Sequence, residues 1–105
     1  MKFRTPEEIN QQIIDGSEVY LLDIREAYEL SICKINSVHI PMAEVVNRVG
    51  ELPSTDEIVV LCKTGQRAEA LCNILEMEFN MTNTAVLEGG IMGWREKINS
   101  ELEAY

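Results

Sequence analysis

The segment Val59-Val60-Leu61-Cys62-Lys63-Thr64-Gly65-Gln66-Arg67-Ala68 holds the residues best suited to chemistry. An apolar run, Ile58 to Leu61, carries a cysteine at its C-terminal tip. A short polar loop with one glycine follows, and a good helix former then begins at Arg67. In a parallel sheet, ligands bind at the carboxyl ends of the strands. A helix N-terminus at that edge offers unpaired N–H groups to an anion. The thiolate is the attacking form of cysteine, so Cys62 is a candidate nucleophile. Lys63 and Arg67 flank the loop, and Gly65 lets the backbone fold back so that successive N–H groups form an anion-binding concavity. Taken singly, Cys62 could equally be a small buried hydrophobe, Lys63 and Arg67 solvated charges, and Gly65 a turn glycine. Their grouping around one sulfur favours the chemical reading.

Asp23 and Arg25 follow a second apolar run, "VYLLDI", which places them at the same carboxyl edge as Cys62. Their plain reading is a structural ion pair. Cys33 and Cys72 read as core residues. His39 is the only histidine and precedes Ile-Pro; it reads as structural, and nothing makes it a base for Cys62. Cys33, His39, Cys62 and Cys72 lack the close paired spacings of zinc sites, so no metal is expected. Met92 and Trp94 read as core or pocket wall, and no cofactor is called for.

The elements that must position these residues alternate along the chain. Thr5-Pro6-Glu7-Glu8 is a helix start, with Thr5 as cap, Pro6 at the first helical position and acids in the first turn. That helix should run to Asp15 and stop at Gly16. Residues 19–24 form an apolar run of the kind buried on both faces of a parallel sheet. A short helix "REAYELSI" and a short strand 37–40 come next. Pro41 opens a helix whose Val45, Val46 and Val49 should face the core. After strand 57–61 and the cysteine loop, a helix over about 67–79 should bury Leu71, Ile74, Leu75 and Phe79. A strand at 84–90 ends in a glycine pair, and a last helix carries Ile91, Trp94 and Ile98. Such alternation implies an α/β fold with a mainly parallel sheet and helices on both faces.

At 105 residues the chain is one domain, 1–105, large enough for a core but not for two. Its 46% hydrophobic and 26% charged residues suit a globular protein. No apolar run approaches the ~20 residues that span a bilayer, and the start lacks a signal-peptide core. Three cysteines, an odd number without close pairing, suggest reduced thiols and a cytoplasmic location. Nine basic against eighteen acidic residues give a net charge of -9, which argues against nucleic acid and anionic membrane as partners. Global charge is screened beyond ~8 Å, so the local pair Lys63 and Arg67 can still attract a small anion.

Four segments, "LLDIRE" (21–26), "HIPM" (39–42), "IVVLCKTGQRA" (58–68) and "LEGGIMGW" (87–94), occur in an order and spacing that resemble the rhodanese domain. The resemblance covers nearly the whole chain. It implies a three-layer α/β/α fold around a five-stranded sheet and a sulfurtransferase activity. It further implies that Cys62 accepts a sulfane sulfur as a persulfide, cradled by the backbone of Lys63, Thr64, Gly65, Gln66 and Arg67, and that Asp23 and Arg25 hold the edge of the site. Four residues separate Cys62 from Arg67. Related folds that handle phosphate or arsenate have five, so the shorter loop favours sulfur transfer. The end, "WREKINSELEAY", is similar to the tail of rhodanese domains fused behind E1-like adenylyltransferases.

The expected partners are therefore a small sulfur donor such as thiosulfate, or a persulfide-bearing protein, with a sulfur carrier or E1-like protein among the candidates. Lys63 and Arg67, read as exposed loop cations, should serve anionic donors with little role in folding. The competing readings are a non-catalytic interaction module and a phosphatase or arsenate reductase on the same fold. The chain departs from the family pattern where Lys34 stands in place of a usual histidine, where Ala27 stands in place of a common proline, and where the turn at Asn36-Ser37 is one residue short.

Overall fold

Short strands alternating with helices leave one economical arrangement, a sheet whose two faces are both covered. The computed structural model describes residues 1–105. The strands are β1 (Lys2–Arg4), β2 (Tyr20–Asp23), β3 (Val38–His39), β4 (Ile58–Leu61) and β5 (Thr84–Leu87). They form one sheet in the order β1-β5-β4-β2-β3, and all four pairings are parallel. The α-helices are α1 (Pro6–Ile14), α2 (Ala27–Ile32), α3 (Met42–Val45), α4 (Gln66–Phe79) and α5 (Gly90–Lys97).

Side chains alternate across a strand, and here they divide the core in two. Leu22, Ile58, Val60 and Val86 point to one face, where they pack with Val45, Ala68, Leu71 and Leu75 of α3 and α4. Leu21, Val59, Leu61 and Leu87 point to the other, against Ile9 of α1 and Ile91 and Trp94 of α5. Each aliphatic side chain fully buried in this way contributes on the order of 1.5–3 kcal/mol. β4 and β5 are buried along their whole length, as central parallel strands must be.

The helix termini follow the local sequence. Thr5 Oγ1 accepts from the Glu8 N–H while the Glu8 carboxylate accepts from the Thr5 N–H, a complete capping box. Gly16, at φ +83°, follows the cap of α1 at Asp15. The expected helix after Pro41 is shorter than read: α3 passes into a 3-10 helix at Val46–Glu51, with Arg48 off helical geometry. That change of period moves Val46 off the core face, where it is exposed, while Val45 is fully buried. Phe79, expected in the core, is the last residue of α4 before the left-handed cap at Asn80 and is 37% exposed. The strand missed from the sequence is β1, three residues on the sheet edge.

The arrangement brings the two predicted edges together. In register, Asp23 lies opposite Leu61, so the residues after β2 and β4 emerge side by side. Cys33, Cys62 and Cys72 are all buried and free. No helix is long and apolar enough to cross a membrane.

Candidate active site

Cys62 follows β4 directly and is 1% exposed. Gly65, at φ +108°, caps α4, a backbone conformation that costs a residue with a Cβ. The turn it makes directs the Gly65 N–H to Cys62 Sγ at 3.1 Å. The first hydrogen bond of α4 runs from the Glu69 N–H to the Gly65 carbonyl. Helix geometry therefore leaves the N–H groups of Gln66, Arg67 and Ala68 without an intrahelical acceptor.

The opposite wall of the loop is fixed by α5. The Ile91 N–H donates to the Cys62 carbonyl at 2.8 Å and the Met92 N–H to the Lys63 carbonyl at 3.1 Å. Gly90, at φ +61°, makes this approach possible: a Cβ there would lie 2.5 Å from the Cys62 carbonyl oxygen and 2.6 Å from that of Lys63. The glycine pair of "LEGG" thus has a mechanical reason. Two loop carbonyls are tied to α5, and the Gly65 N–H is the backbone group set against the sulfur.

Asp23 and Arg25 form a completely buried ion pair. Arg25 Nε and Nη2 donate to the Asp23 carboxylate, and the Arg25 N–H donates to Asp23 Oδ1. The remaining guanidinium hydrogens reach the Cys33 and Glu29 carbonyls and the Tyr105 hydroxyl. Burial works against the Arg25 charge, but the bonds to Asp23 and Tyr105 outweigh it and raise its pKa. His39 is held at this edge by Nε2 at 2.7 Å from the Arg25 carbonyl oxygen.

Arg67 differs from the sequence expectation of an exposed loop cation. It lies in the first turn of α4 and pairs with Glu29 of α2 through two bonds of 2.7 and 2.8 Å. Its side chain is 36% exposed, whereas that of Glu29 is 3% exposed. The Arg67 bond holds the Glu29 carboxyl at about 2, against the cost of burial. Lys63 is half-buried, with Nζ 4.6 Å from the centroid of the Tyr105 ring. Thr64 and Gln66 are exposed on the rim and Gly65 is buried.

The family model for the rhodanese-like domain matches residues 5–97. The chain belongs to the rhodanese-like family. YtwF of Bacillus subtilis, whose sulfurtransferase name is provisional, is 33% identical over 88 residues, 82% of each chain. The adenylyltransferase and sulfurtransferase MOCS3 of Sus scrofa is 29% identical over 110 residues; the match covers 86% of this chain and 24% of MOCS3. The chain thus spans about a quarter of that relative. A rhodanese-related protein of Thermoplasma volcanium superposes with a TM-score of 0.81 at 27% identity, covering 93% of this chain and 94% of the other.

Two residues of this rhodanese-like chain escaped the sequence reading. Glu29 is one of two acids in "REAYEL", and its partner Arg67 lies in a different helix far along the chain. Tyr105 gave no local signal. Its hydroxyl donates to Glu29 Oε2 at 2.6 Å and accepts from Arg25 Nη1 at 3.0 Å. Burial, followed by the bond to Glu29, pushes its phenol up to about 12.

Proposed function

We propose that the protein is a sulfurtransferase that carries a sulfane sulfur on Cys62. The observation that carries this reading is the Cys62 sulfur set against the Gly65 N–H, in a loop whose carbonyls are tied to α5. The family membership and the sulfurtransferase names of relatives support it.

In the loading step the Cys62 thiolate attacks the outer sulfur of the donor. A new S–S bond forms at Sγ and the donor's own S–S bond breaks. The electron pair leaves as sulfite from thiosulfate, or as a thiolate from a persulfide R–S–S⁻. In the unloading step an acceptor thiolate attacks the outer sulfur and Cys62 leaves as thiolate. Charge and atoms balance in both, and no external oxidant is needed.

In this reading the backbone of Lys63, Thr64, Gly65, Gln66 and Arg67 cradles the outer sulfur, which is where the N–H groups of the loop and of the first turn of α4 are available. Asp23 and Arg25 hold the edge of the site. Arg67 contributes its backbone and its place in the Glu29 pair more than a free cation. The partners are a small sulfur donor or a persulfide-bearing protein, with sulfur carriers and E1-like proteins as candidates. Relatives whose names join adenylyltransferase and sulfurtransferase point the same way. The chemistry needs reduced thiols, as the cytoplasm provides.

The test is a sulfurtransferase assay across thiosulfate and protein persulfide donors, with wild type and Cys62→Ser side by side. Turnover of at least one donor that vanishes in Cys62→Ser is expected. Activity unchanged in Cys62→Ser would overturn the reading.

A further inference from the structure

All the side-chain cations near Cys62 are already partnered. Arg25 is enclosed by Asp23. Arg67 is bound through both terminal nitrogens to Glu29. Lys63, next to the nucleophile in the chain, has its ammonium over the face of the Tyr105 ring, within the distance at which a cation is attracted by an aromatic quadrupole. The Tyr105 phenol then joins the two arginine pairs, donating to Glu29 and accepting from Arg25. One aromatic side chain thus touches Lys63 directly, and Arg67 through Glu29.

We propose that Tyr105 is a specificity residue that withholds Lys63 from the donor while Glu29 holds Arg67, and so favours a singly charged persulfide over a dianion such as thiosulfate. This rests on the sulfurtransferase reading of Cys62. A small dianion brought into a partly desolvated site needs a free cation beside it, and each unpaired charge left there is costly. To gain that cation, thiosulfate must draw Lys63 off the ring or Arg67 off a carboxylate that is itself buried. A persulfide donor brings one charge less and places its outer sulfur against backbone N–H groups, which involve neither side chain.

Tyr105 acts through Lys63, so it is a positioning residue, and its signature is a change in charge preference. Two readouts on the full chain separate its role from that of Cys62. The first is the ratio of Cys62 alkylation rates with iodoacetate, an anion, and iodoacetamide, its neutral counterpart; it involves no sulfur transfer. The second is the ratio of Cys62 sulfur-loading rates with thiosulfate and with cysteine persulfide.

Tyr105→Leu keeps the apolar bulk but removes the ring face and the hydroxyl. Both ratios should rise about five- to tenfold, a change expected for one newly available charge at a few Å. The rise should disappear in Lys63→Ala/Tyr105→Leu. Should Tyr105→Leu fail to fold, Tyr105→Met takes its place with the same expected rise, and Tyr105→Phe is the control in either case. Tyr105→Phe keeps the ring under Lys63, so both ratios should stay close to wild type. Unchanged or lower ratios in the folded Leu or Met variant, or a rise in Tyr105→Phe as large as theirs, would overturn the proposal, because a purely structural tyrosine slows both reagents alike. If the wild type takes sulfur from neither donor, the sulfurtransferase reading fails while the alkylation ratio still judges Tyr105. If alkylation responds and donor preference does not, the donor assignment is overturned.

Discussion

Cys62 and Cys72 are both almost completely buried, and both belong to the layer of core between the sheet and α4. Their sulfurs nevertheless meet opposite surroundings. Cys72 lies inside α4, where backbone N–H groups are used by the helix itself. Its thiol makes a long contact, 3.9 Å, to the Ala85 carbonyl, and burial pushes its pKa up to about 11. Cys62 stands just before the same helix, in a turn that points the Gly65 N–H at its sulfur. Burial alone therefore does not distinguish the two cysteines. The direction of the nearby backbone N–H groups does, and around Cys62 it depends on two glycines, Gly65 and Gly90; on the proposed function this difference is what makes Cys62 the sulfur carrier.

The comparison can be broken first at the edge beside Cys62. Asp23→Ala would leave the fully enclosed Arg25 charge without its carboxylate. Removing one partner of a buried pair costs about 3–5 kcal/mol, a large part of a small domain's stability. Urea unfolding should show a lower midpoint with the slope little changed. A loss below about 1 kcal/mol, the range of an exposed pair, would mean that the pair is not holding this edge.

Gly90→Ala attacks the loop from the α5 side. The new Cβ would meet the backbone carbonyls of Cys62 and Lys63, which no side-chain rotation can relieve, and Gly90 is at positive φ. The cost should be about 1–3 kcal/mol, with Cys62 alkylation altered and the surroundings of Cys72 untouched. If Cys62 reacts at the wild-type rate in this variant, the tie between α5 and the loop has no bearing on the sulfur.

A smaller effect concerns Cys72. Its folded pKa is raised, so the unfolded chain releases that proton first as pH increases. Stability is then lost as pH rises from about 9 toward about 11. The Tyr105 phenol, pushed up to about 12, contributes in the same direction from about 10 upward. Cys72→Ala should therefore flatten the first part of the alkaline loss seen in melting temperature and leave the part due to Tyr105. An unchanged profile would show that the Cys72 thiol is not held neutral by burial.

Most of the Cys62 side of this comparison was legible in the sequence. The apolar run into Cys62, the glycine three residues later and the helix former after it define a strand, a turn and a helix by local rules. Thr5-Pro6-Glu7-Glu8 fixed the start of α1 in the same way. Arg67 was misread because its partner, Glu29, is 38 residues away and belongs to another helix. Tyr105 lies 76 residues from Glu29, and a contact of that separation has no periodic or capping signature. β1 escaped because "KFR", three residues at an edge, carries too little pattern to mark a strand. Val46 reads as core on a 3.6-residue period, but the segment turns 3-10 from Val46 onward. Local chemistry was readable; the pairing of distant charges was set by the tertiary fold.

The most direct measurement is a mass map of the three cysteines after incubation with a persulfide or thiosulfate donor, in wild type, Cys62→Ser and Cys72→Ala. A cyanide-labile gain of a single sulfur should appear on the Cys62 peptide alone. It should persist in Cys72→Ala and be absent from Cys62→Ser. Sulfur found on Cys72 or Cys33, or retained in Cys62→Ser, would contradict the claim that backbone orientation at Cys62 makes it the sulfur carrier.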